Sequence, residues 1–423
     1  MTETTLTRPD LPRPRHYRIR LEGRRLVHTA WTEGGKPRET AKEFDVQQDA
    51  GQAFQRLRDK KMREGFCCVG DGAARGDVLL EFMVPMGLHG PTVDLSPDGR
   101  TLVAGTTPKH AQGGAEIYLV DIATGRRRLV LPERPEANHR PPSPGHAVLH
   151  TVLFDADGER IIYALDGETR LLDPTGGHQK PLAAYRTGFE PFRLRPSWNR
   201  DRTRLLVFDA EDRIRVLDRQ GDPMFETRAD IADEYWGGAL SQSGRLLALS
   251  RSKGKWLPDS PMATEIEVWD LERGTIRVRI PVPFITCPVD KVGFDPSETL
   301  VLAKPWGSEG PGAFSIDTTE LVWHFRHPSF PDRWDYCFDW DYSPDGTDLA
   351  VGRLLQTDVV DAATRVVDPA FANPWPDAGP GRPGQAKQVR ISDDGTVLVS
   401  AGPSGRILVR KLRGRSTGNA TSR

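Results

Sequence analysis

A strand–turn–strand motif recurs along this chain and constrains its fold more than any other feature. In the first copy, an apolar alternation beginning at Val93 leads into Ser96-Pro97-Asp98-Gly99, and Leu102 resumes the apolar run. Asp and Gly suit such a turn because both tolerate a positive φ, and the Asp side chain can bond its own backbone. Seven copies occur, and their turns are marked by Asp98, Asp157, Asp201, Ser243, Ser297, Asp345 and Asp394.

The spacing of these turns predicts a ring of small sheets. Successive markers lie 42 to 59 residues apart, and periods of ~40–50 residues built from short strands are typical of propeller blades. The last copy stops after a third strand at 406–412, whereas strand 78–84 precedes the first copy without a partner. Placing that strand beside the last one would close the ring and remove a bare sheet edge. We therefore expect an all-β seven-bladed β-propeller over residues 77–412.

The third strands carry a second signature. Six of them end in Asp, and in one of these the Asp follows a tryptophan, as Trp269-Asp270. With this pair and the repeated turns, residues 77–412 resemble the WD40-type propeller family. The resemblance implies a ring whose loop-rich face docks other proteins.

The first 69 residues follow a different pattern. Residues 1–14 are polar and rich in proline, which predicts a flexible tail. Strands at 16–21 and 25–31, a further extended stretch at 39–44 and a helix over about 46–64 then predict a small α+β domain. Gly65 follows the helix, as expected for a C-terminal cap.

Residues 15–69 resemble a WGR domain, a small module of one sheet and one helix. The resemblance rests on the strand ending in Trp31, on Lys42-Glu43-Phe44 before the helix, and on Phe54 within it. It implies contact with a nucleic acid backbone, although Thr32-Glu33 replaces the Gly-Arg of the family and a carboxylate repels phosphate. The residues that would bind nucleic acid are Arg24, Arg25, Trp31, Lys36, Arg38 and Lys42.

Composition bounds the remaining properties. Residues 70–76 are predicted to form a linker and 413–423 a flexible basic tail. The net charge of −1 gives no general argument for binding nucleic acid or membrane, although residues 1–75 hold 16 Lys and Arg against 11 Asp and Glu. No stretch approaches the ~20 apolar residues of a membrane span, and no secretory signal is recognisable. The four cysteines form no Cys-x-x-Cys pair, so we expect a cytoplasmic protein.

Residues at or just before the first strand of each repeat are expected to ring the central opening. Aromatic anchors surrounded by polar groups favour protein binding there. The alternative interpretation is that the tryptophans fill gaps between the blades. The predicted protein-binding residues are His150, Trp198, Tyr235, Trp236, Lys291, Trp334, Asp339, Trp340 and Gln388.

The sequence contains no nucleophile elbow, phosphate-binding loop or His-Glu-x-x-His motif. We therefore predict no catalytic residues, no metal site and no cofactor. The favoured function is a non-enzymatic, monomeric protein-interaction scaffold with the WGR-like module as a second recognition head. The first alternative is a nucleic-acid-binding adaptor in DNA maintenance or defence that acts through the N-terminal domain. A propeller hydrolase or lyase with its site in the central opening is the third.

Overall fold

The computed structural model describes most of the chain. The described residues are 1–85, 90–107, 115–132, 149–165, 168–175, 177, 179–184, 196–208, 213–228, 233–253, 263–283, 289–305, 310–325, 337–353, 357–371, 388–402 and 404–413. These residues form antiparallel sheets, one α-helix and a single turn of 3-10 helix at Pro369–Phe371. No helix of this described part is long and apolar enough to cross a lipid bilayer.

The N-terminal sheet has four antiparallel strands in sequence order. They are β1 (Thr2–Arg8), β2 (Arg15–Glu22), β3 (Arg25–Thr32) and β4 (Arg38–Glu43). The prediction of a flexible tail over residues 1–14 was wrong, because β1 pairs with β2 from Thr2 opposite Leu21 to Arg8 opposite Arg15. The strand forms because Thr4 and Leu6 alternate with polar residues and are buried.

Helix α1 (Gln47–Arg63) packs on one face of this sheet. Its buried residues are Ala50, Phe54, Arg58 and Met62, whose spacing of four residues places them on one side of the helix. Phe54 and Met62 join Leu6, Tyr17, Ile19 and Leu26 of the strands in one hydrophobic cluster. Gly65, at φ +100°, follows the helix end as predicted. The N-terminal sheet and α1 are called the N-terminal module below.

Seven further antiparallel sheets follow in the described chain, numbered here in sequence order. Sheet 1 has β7 (Thr92–Leu95), β8 (Thr101–Thr106), β9 (Glu116–Asp121) and β10 (Arg127–Pro132); sheet 2 has β11 (Leu149–Phe154), β12 (Ile161–Leu165), β13 (Glu168–Leu172) and β14 (Gln179–Ala184). Sheet 3 has β15 (Ser197–Trp198), β16 (Leu205–Phe208), β17 (Arg213–Leu217) and β18 (Pro223–Arg228); sheet 4 has β19 (Asp233–Leu240), β20 (Leu246–Lys253), β21 (Ala263–Asp270) and β22 (Thr275–Val282).

The remaining three sheets differ in strand number within the described residues. Sheet 5 has β23 (Val289–Phe294), β24 (Leu300–Pro305), β25 (Gly312–Ser315) and β26 (Leu321–His324). Sheet 6 has β27 (Cys337–Tyr342), β28 (Asp348–Arg353) and β29 (Thr357–Asp361). Sheet 7 combines β30 (Gln388–Ile391), β31 (Val397–Ala401) and β32 (Arg406–Lys411) with β6 (Val78–Met83) and β5 (Cys68–Val69).

Sheet 7 joins the two ends of this region. Strand β6 pairs with β32, and Ile407 lies opposite Phe82. This confirms the predicted pairing of strand 78–84 with the last repeat. Each sheet also shares a hydrophobic cluster with the next one, and sheet 7 shares one with sheet 1. The apolar interior is therefore distributed over the contacts between neighbouring sheets, as in repeat proteins.

The N-terminal module is docked on sheet 7 through buried charges. Arg58 of α1 forms an ion pair with Glu81 of β6, and Arg406 of β32 contacts Glu81 and Asp59. Met83 of β6 completes the hydrophobic cluster of the module. The module and sheet 7 therefore share one interior, and removing either would expose charges that the other covers.

The predicted linker 70–76 is bonded to the sheets at several points. Arg75 donates hydrogen bonds to Asp348, Asp368 and the carbonyl of Leu412, at 2.6 to 2.8 Å. Gly76 donates from its backbone N–H to the carbonyl of Lys411 at 2.8 Å. This segment is therefore a fixed connection between the module and sheets 6 and 7. The predicted basic tail lies outside the described residues apart from residue 413.

Candidate functional site

The first strand of each sheet is called its inner strand, and the inner strands of sheets 1 and 2, 3 and 4, 4 and 5, 6 and 7, and 7 and 1 contact one another. Side-chain contacts link the inner strands of sheets 2 and 3 and of sheets 5 and 6. The space between these strands is called the channel here. Side chains of one inner strand bond the backbone of the next around this channel. These bonds are Gln388 Oε1 to the Val93 N–H (2.8 Å), Asp94 Oδ2 to the Phe154 N–H (2.9 Å), Asp339 Oδ2 to the Val389 N–H (2.9 Å) and Asp341 Oδ2 to the Ile391 N–H (2.7 Å). The bond to Val93 links sheet 7 with sheet 1.

Lys291, Asp339 and Arg390 form a charged group on three successive inner strands. Lys291 Nζ pairs with the Asp339 carboxylate and donates to the carbonyl of Trp340 at 2.7 Å. Arg390 Nη1 reaches the other carboxylate oxygen of Asp339 at 3.0 Å. Lys291 Nζ also lies 4.6 Å from the centre of the Trp340 ring, within the range of a cation–π contact.

These contacts decide the protonation of Asp339. Burial alone would raise the pKa of its carboxyl, but Lys291 and Arg390 together hold that pKa below its ordinary value. The carboxylate accepts bonds from both cations and from the Val389 backbone, so it is the junction of sheets 5, 6 and 7.

Two arginines from the turn after β15 cross the channel. Arg200 Nη2 donates to the carbonyl of Ser392 in sheet 7 at 2.7 Å, and its guanidinium lies 3.5 Å from Asp341 of sheet 6. Two sheets, 4 and 5, lie between sheet 3 and sheet 6, and two others, 1 and 2, lie between sheet 3 and sheet 7. Arg200 can contact both only by spanning the channel at the end where the inner strands enter their turns.

Arg202 fills the same end of the channel. Its guanidinium contacts Asp94 at 3.2 Å, Asp393 at 2.7 Å, the carbonyl of Phe154 at 3.0 Å and that of Leu95 at 2.8 Å. Four acceptors from sheets 1, 2 and 7 thus surround one side chain that is 8% exposed. Burial raises the pKa of Asp393 above its ordinary value, against the opposing effect of Arg202 and Arg200.

The backbone at Arg202 is held in a conformation that favours glycine. In every one of the seven turns, the residue at this position donates its N–H to the carbonyl three residues earlier. The seven residues are Gly99, Gly158, Arg202, Gly244, Glu298, Gly346 and Gly395, all at positive φ. An L-residue in the left-handed region costs ~1–2 kcal/mol. Arg202 (φ +50°) and Glu298 (φ +58°) bear this cost.

Glu298 and Arg202 have the same backbone conformation, but their side chains contact different parts of the protein. The Glu298 carboxylate accepts bonds from the N–H and hydroxyl of Ser243, in the turn of the preceding sheet, at 2.6 and 3.0 Å. Glu298 therefore ties two adjacent turns at the surface, whereas Arg202 ties sheets on opposite sides of the channel.

The network in the channel is balanced in charge among the described residues. Its members are the cations Lys291, Arg390, Arg200 and Arg202 and the carboxylates Asp339, Asp341, Asp393 and Asp94. Each cation contacts at least one carboxylate, so the charges fix the sheets relative to one another. No group of three or more His, Cys, Asp or Glu suited to a metal ion occurs within the described part of the chain.

Several of the predicted protein-binding residues have packing contacts. Trp340 is 4% exposed in the cluster between sheets 5 and 6. Trp198 donates its indole N–H to the carbonyl of Phe154 at 2.9 Å and packs between sheets 2 and 3. Tyr235 is buried, with its hydroxyl 3.3 Å from Glu267. For these three, the structure supports the alternative that aromatic residues fill gaps between sheets.

The other predicted protein-binding residues differ in burial and in location. Gln388 and Asp339 are buried and bond the next inner strand, as described above. His150 is half-buried in β11, and Trp236 lies in β19 with a side chain outside the described residues. Trp334 also lies outside the described residues. The structure thus brings Lys291, Asp339, Trp340 and Gln388 close together around the channel.

A β-bulge recurs near the start of four inner strands. The register with the second strand shifts at His150 in sheet 2, Trp236 in sheet 4, Asp290 in sheet 5 and Phe338 in sheet 6. Bulges change the direction of a side chain and are frequent next to functional sites. All four bulges lie at the end of the channel opposite to Arg200 and Arg202.

The cations predicted to bind nucleic acid are exposed, but they do not share one face. Arg38 and Lys42 lie on the helix side of β4, because Lys42 is opposite the buried Leu26. Arg25 and Trp31 are on the other side of the sheet. Arg24 lies in the turn between β2 and β3, and Lys36 lies in the connection between β3 and β4, at the opposite end of β3.

Trp31 is engaged within the outer face of the sheet. Its ring stacks on His16 at 5.1 Å between centroids, and the Arg18 guanidinium lies 5.5 Å from its centre. Glutamates stand beside the arginines of this face: Arg18 lies 3.8 Å from Glu3, and Arg20 lies close to two further glutamates. The face is therefore of mixed charge, which does not favour phosphate.

Sequence reasoning missed the two channel arginines and their partners in sheets 1, 2, 6 and 7. One signal was available: Asn199-Arg200-Asp201-Arg202 occupies a turn whose last position is Gly in five of the seven copies. An arginine at this glycine-favouring position is explained by the hydrogen-bond acceptors that it contacts across the channel.

The sequence matches no protein-family profile and no curated protein. The solved structure "Crystal Structure of Mitotic Checkpoint Complex" contains a similar chain, with a TM-score of 0.56 and 13% sequence identity. The similarity covers 80% of this chain and 96% of that chain. It supports a WD40-type propeller for the sheets described above. At this identity the similarity concerns the fold alone.

Proposed function

We propose that sheets 1–7 are the blades of a closed, seven-bladed propeller, and that the chain is a non-enzymatic scaffold that binds other proteins. The observation that carries this proposal is the recurring bulge at His150, Trp236, Asp290 and Phe338. It marks one end of the channel, while arginines fill the other end. A partner would therefore bind at the bulged end, next to the connections that enter the inner strands.

The anchors in this proposal are Trp236, at a bulge, and Trp334, which precedes β27. Large aromatic side chains supply most of the binding energy in many protein interfaces. The similar chain was solved in a complex, which is consistent with such a use of the fold. We further propose a monomeric protein of the cytoplasm, where thiols such as those of Cys67, Cys68 and Cys337 would stay reduced.

The test compares partner capture by the wild-type chain and by W236A/W334A in lysate of the native host, quantified by mass spectrometry. The double variant should lose about ten-fold or more of the captured partner, because a single hot-spot aromatic contributes ~2 kcal/mol or more. Its melting temperature should stay close to that of the wild type.

The matched control is M224A, which removes an exposed side chain on β18, the strand of sheet 3 farthest from the channel. It should leave capture unchanged. Equal capture by W236A/W334A and the wild type would refute the proposed face, and a collapse of its melting temperature would assign the two tryptophans to packing.

We propose that the N-terminal module is a WGR-like domain and a second recognition head. Its binding to protein is favoured over binding to nucleic acid, because the cations lie on both sides of the sheet and arginines of the outer face stand beside glutamates.

A further inference from the structure

Strand β4 is an open edge of the N-terminal sheet. It pairs with β3 on one side, and none of the described residues pairs with it on the other. All six of its residues are exposed. The opposite edge is different, because Thr7 of β1 exchanges two backbone hydrogen bonds with Cys67, at 2.7 and 2.8 Å. Of the two edges, β4 is the one on which the described residues form no such bond.

The backbone groups that β4 offers can be assigned from its pairing. Phe44 donates its N–H to the carbonyl of Arg24 at 3.0 Å, so this is a hydrogen-bonded pair of the antiparallel ladder. Bonded and non-bonded pairs alternate along such a ladder. The N–H and carbonyl groups of Glu39, Ala41 and Glu43 therefore point away from β3, toward the open edge.

The side chains of β4 separate by charge between the two faces. Arg38, Thr40 and Lys42 lie on the helix side, and Glu39, Ala41 and Glu43 lie on the outer side. The helix side of the edge is basic and the outer side is acidic. A strand added here would place its own side chains directly beside these rows, where opposite charges stabilise and like charges destabilise the pairing.

This pattern disfavours a second copy of the chain as the added strand. An antiparallel pair related by a twofold axis keeps each residue on its own face, so only residues of the same face can be opposite. One central register then sets Arg38 opposite Lys42 of the second copy, and the next sets Glu39 opposite Glu43. Both place like charges side by side. The edge therefore resists self-association, as edge strands commonly do.

We propose that β4 binds an extended segment of another protein, in which acidic and basic residues alternate, as a fifth strand of the N-terminal sheet. Acidic side chains would lie opposite Arg38 and Lys42, and basic ones opposite Glu39 and Glu43. The backbone of the segment would bond Glu39, Ala41 and Glu43. This proposal rests on the proposed role of the module as a recognition head and gives that head a partner chemistry.

The test uses the full chain and a fluorescent, terminally capped peptide in which Glu and Lys alternate over the length of β4. An isomer with all Glu preceding all Lys has the same composition and is the matched control. The alternating peptide should bind at least about ten-fold more tightly than its isomer, a difference of ~1.4 kcal/mol. Hydrogen exchange should slow at the amides of Glu39, Ala41 and Glu43 when the alternating peptide is added.

Two sets of variants test separately the backbone hydrogen bonds and the charge pairing of the added strand. A41P removes an outward N–H without removing a bond to β3 and should abolish binding, whereas A41V keeps the N–H and should bind as the wild type does. R38E/K42E should weaken binding about ten-fold. Reversal of all four charges, R38E/E39K/K42E/E43K, should restore it, because an alternating peptide recovers every opposite-charge pair by shifting one residue.

Equal binding of the two peptides, unchanged binding by A41P, or failure of the fourfold reversal to restore binding would each overturn the proposal. Strand β4 and the channel are separate sites, so W236A/W334A should bind the peptide normally. Failure of the wild-type chain to bind the alternating peptide, with partner capture intact, would refute the β4 proposal alone. Binding of the peptide by the wild-type chain, with equal partner capture by W236A/W334A and the wild type, would refute only the propeller face.

Discussion

Two groups of arginines in this protein face different surroundings, although both are clustered in the sequence. Arg200 and Arg202 cross the channel and contact carboxylates and carbonyls of four other sheets. Arg18 and Arg20 lie on the outer face of the N-terminal sheet, each within 3.6 to 3.8 Å of glutamates that are themselves partly exposed. The first group connects distant parts of the chain, and the second connects neighbours on one sheet.

The difference shows how burial, more than the number of charges, determines what a cation contributes. Exposed ion pairs are worth at most ~1 kcal/mol because water screens them. Removing one partner of a buried pair leaves an uncompensated charge and costs ~3–5 kcal/mol. Arg202 belongs to the second class, and it also tolerates a strained backbone at φ +50°.

The largest predicted effect follows directly from this contrast. R202A should lower the free energy of unfolding by ~3–5 kcal/mol, because Asp94 and Asp393 would face each other without their shared cation. R18A should lower it by less than ~1 kcal/mol. Urea unfolding followed by circular dichroism measures both. If the two variants lose similar stability, the distinction between the two groups of arginines is not valid.

Substitution of Asp339 and of Asp393 tests whether these two carboxylates of the channel contribute differently to stability. Asp339 has a lowered pKa, so its ionised form stabilises the folded state above the ordinary value of ~3.9 and this contribution is lost as pH falls through the lower, folded pKa. The amide of D339N keeps an oxygen that can accept a hydrogen bond, so this substitution should cost ~2–3 kcal/mol at pH 7, within the range for hydrogen bonds to charged groups. The deficit should shrink only below about pH 4.

Asp393 is expected to behave in the opposite sense. Its pKa is raised in the folded state, so the folded protein binds a proton at Asp393 more readily than the unfolded chain does. The ionised carboxylate therefore lowers the stability of the fold at pH values above the folded pKa, and this destabilisation disappears as the pH falls. D393N should keep stability at pH 7 within ~1 kcal/mol of the wild type. Unfolding free energies of both variants between pH 4 and 8 test the ordering, and a larger loss for D393N than for D339N would contradict it.

Much of the fold was predictable from local patterns, whereas the channel was not. The turns, the pairing of β6 with β32 and the sheet and helix of the N-terminal module follow from periodicity and turn chemistry. Strand β1 was missed because the prolines at 9, 12 and 14 obscured the alternation of Thr4 and Leu6. The contacts of Arg200 join residues 141 and 192 positions apart. No local pattern specifies contacts over such separations, and local composition could not distinguish a buried Trp340 from an exposed anchor.

A smaller effect is expected at the turn equivalent to that of Arg202. E298G would relieve the backbone cost of ~1–2 kcal/mol at φ +58° but remove two bonds to Ser243, each worth ~0.5–1.5 kcal/mol. Stability should therefore change by an amount between a gain of ~1 kcal/mol and a loss of ~2 kcal/mol. R202G relieves the same backbone cost and should still be strongly destabilising in urea unfolding. A gain in stability for R202G would mean that its contacts across the channel contribute little.

The smallest expected effect concerns nucleic acid. Filter binding of the full chain to duplex DNA, over a salt series, should give a slope of log K against log salt near zero, since ion pairing with phosphates is what creates the slope. Replacing Arg24, Arg25, Lys36, Arg38 and Lys42 with Ala should then change nothing. The full chain is required because Glu81 and Met83, outside the module, complete its interior. A steep slope that these substitutions remove would instead assign the exposed cations to phosphate binding, and would show that a surface group of charges can be as functional as a buried one.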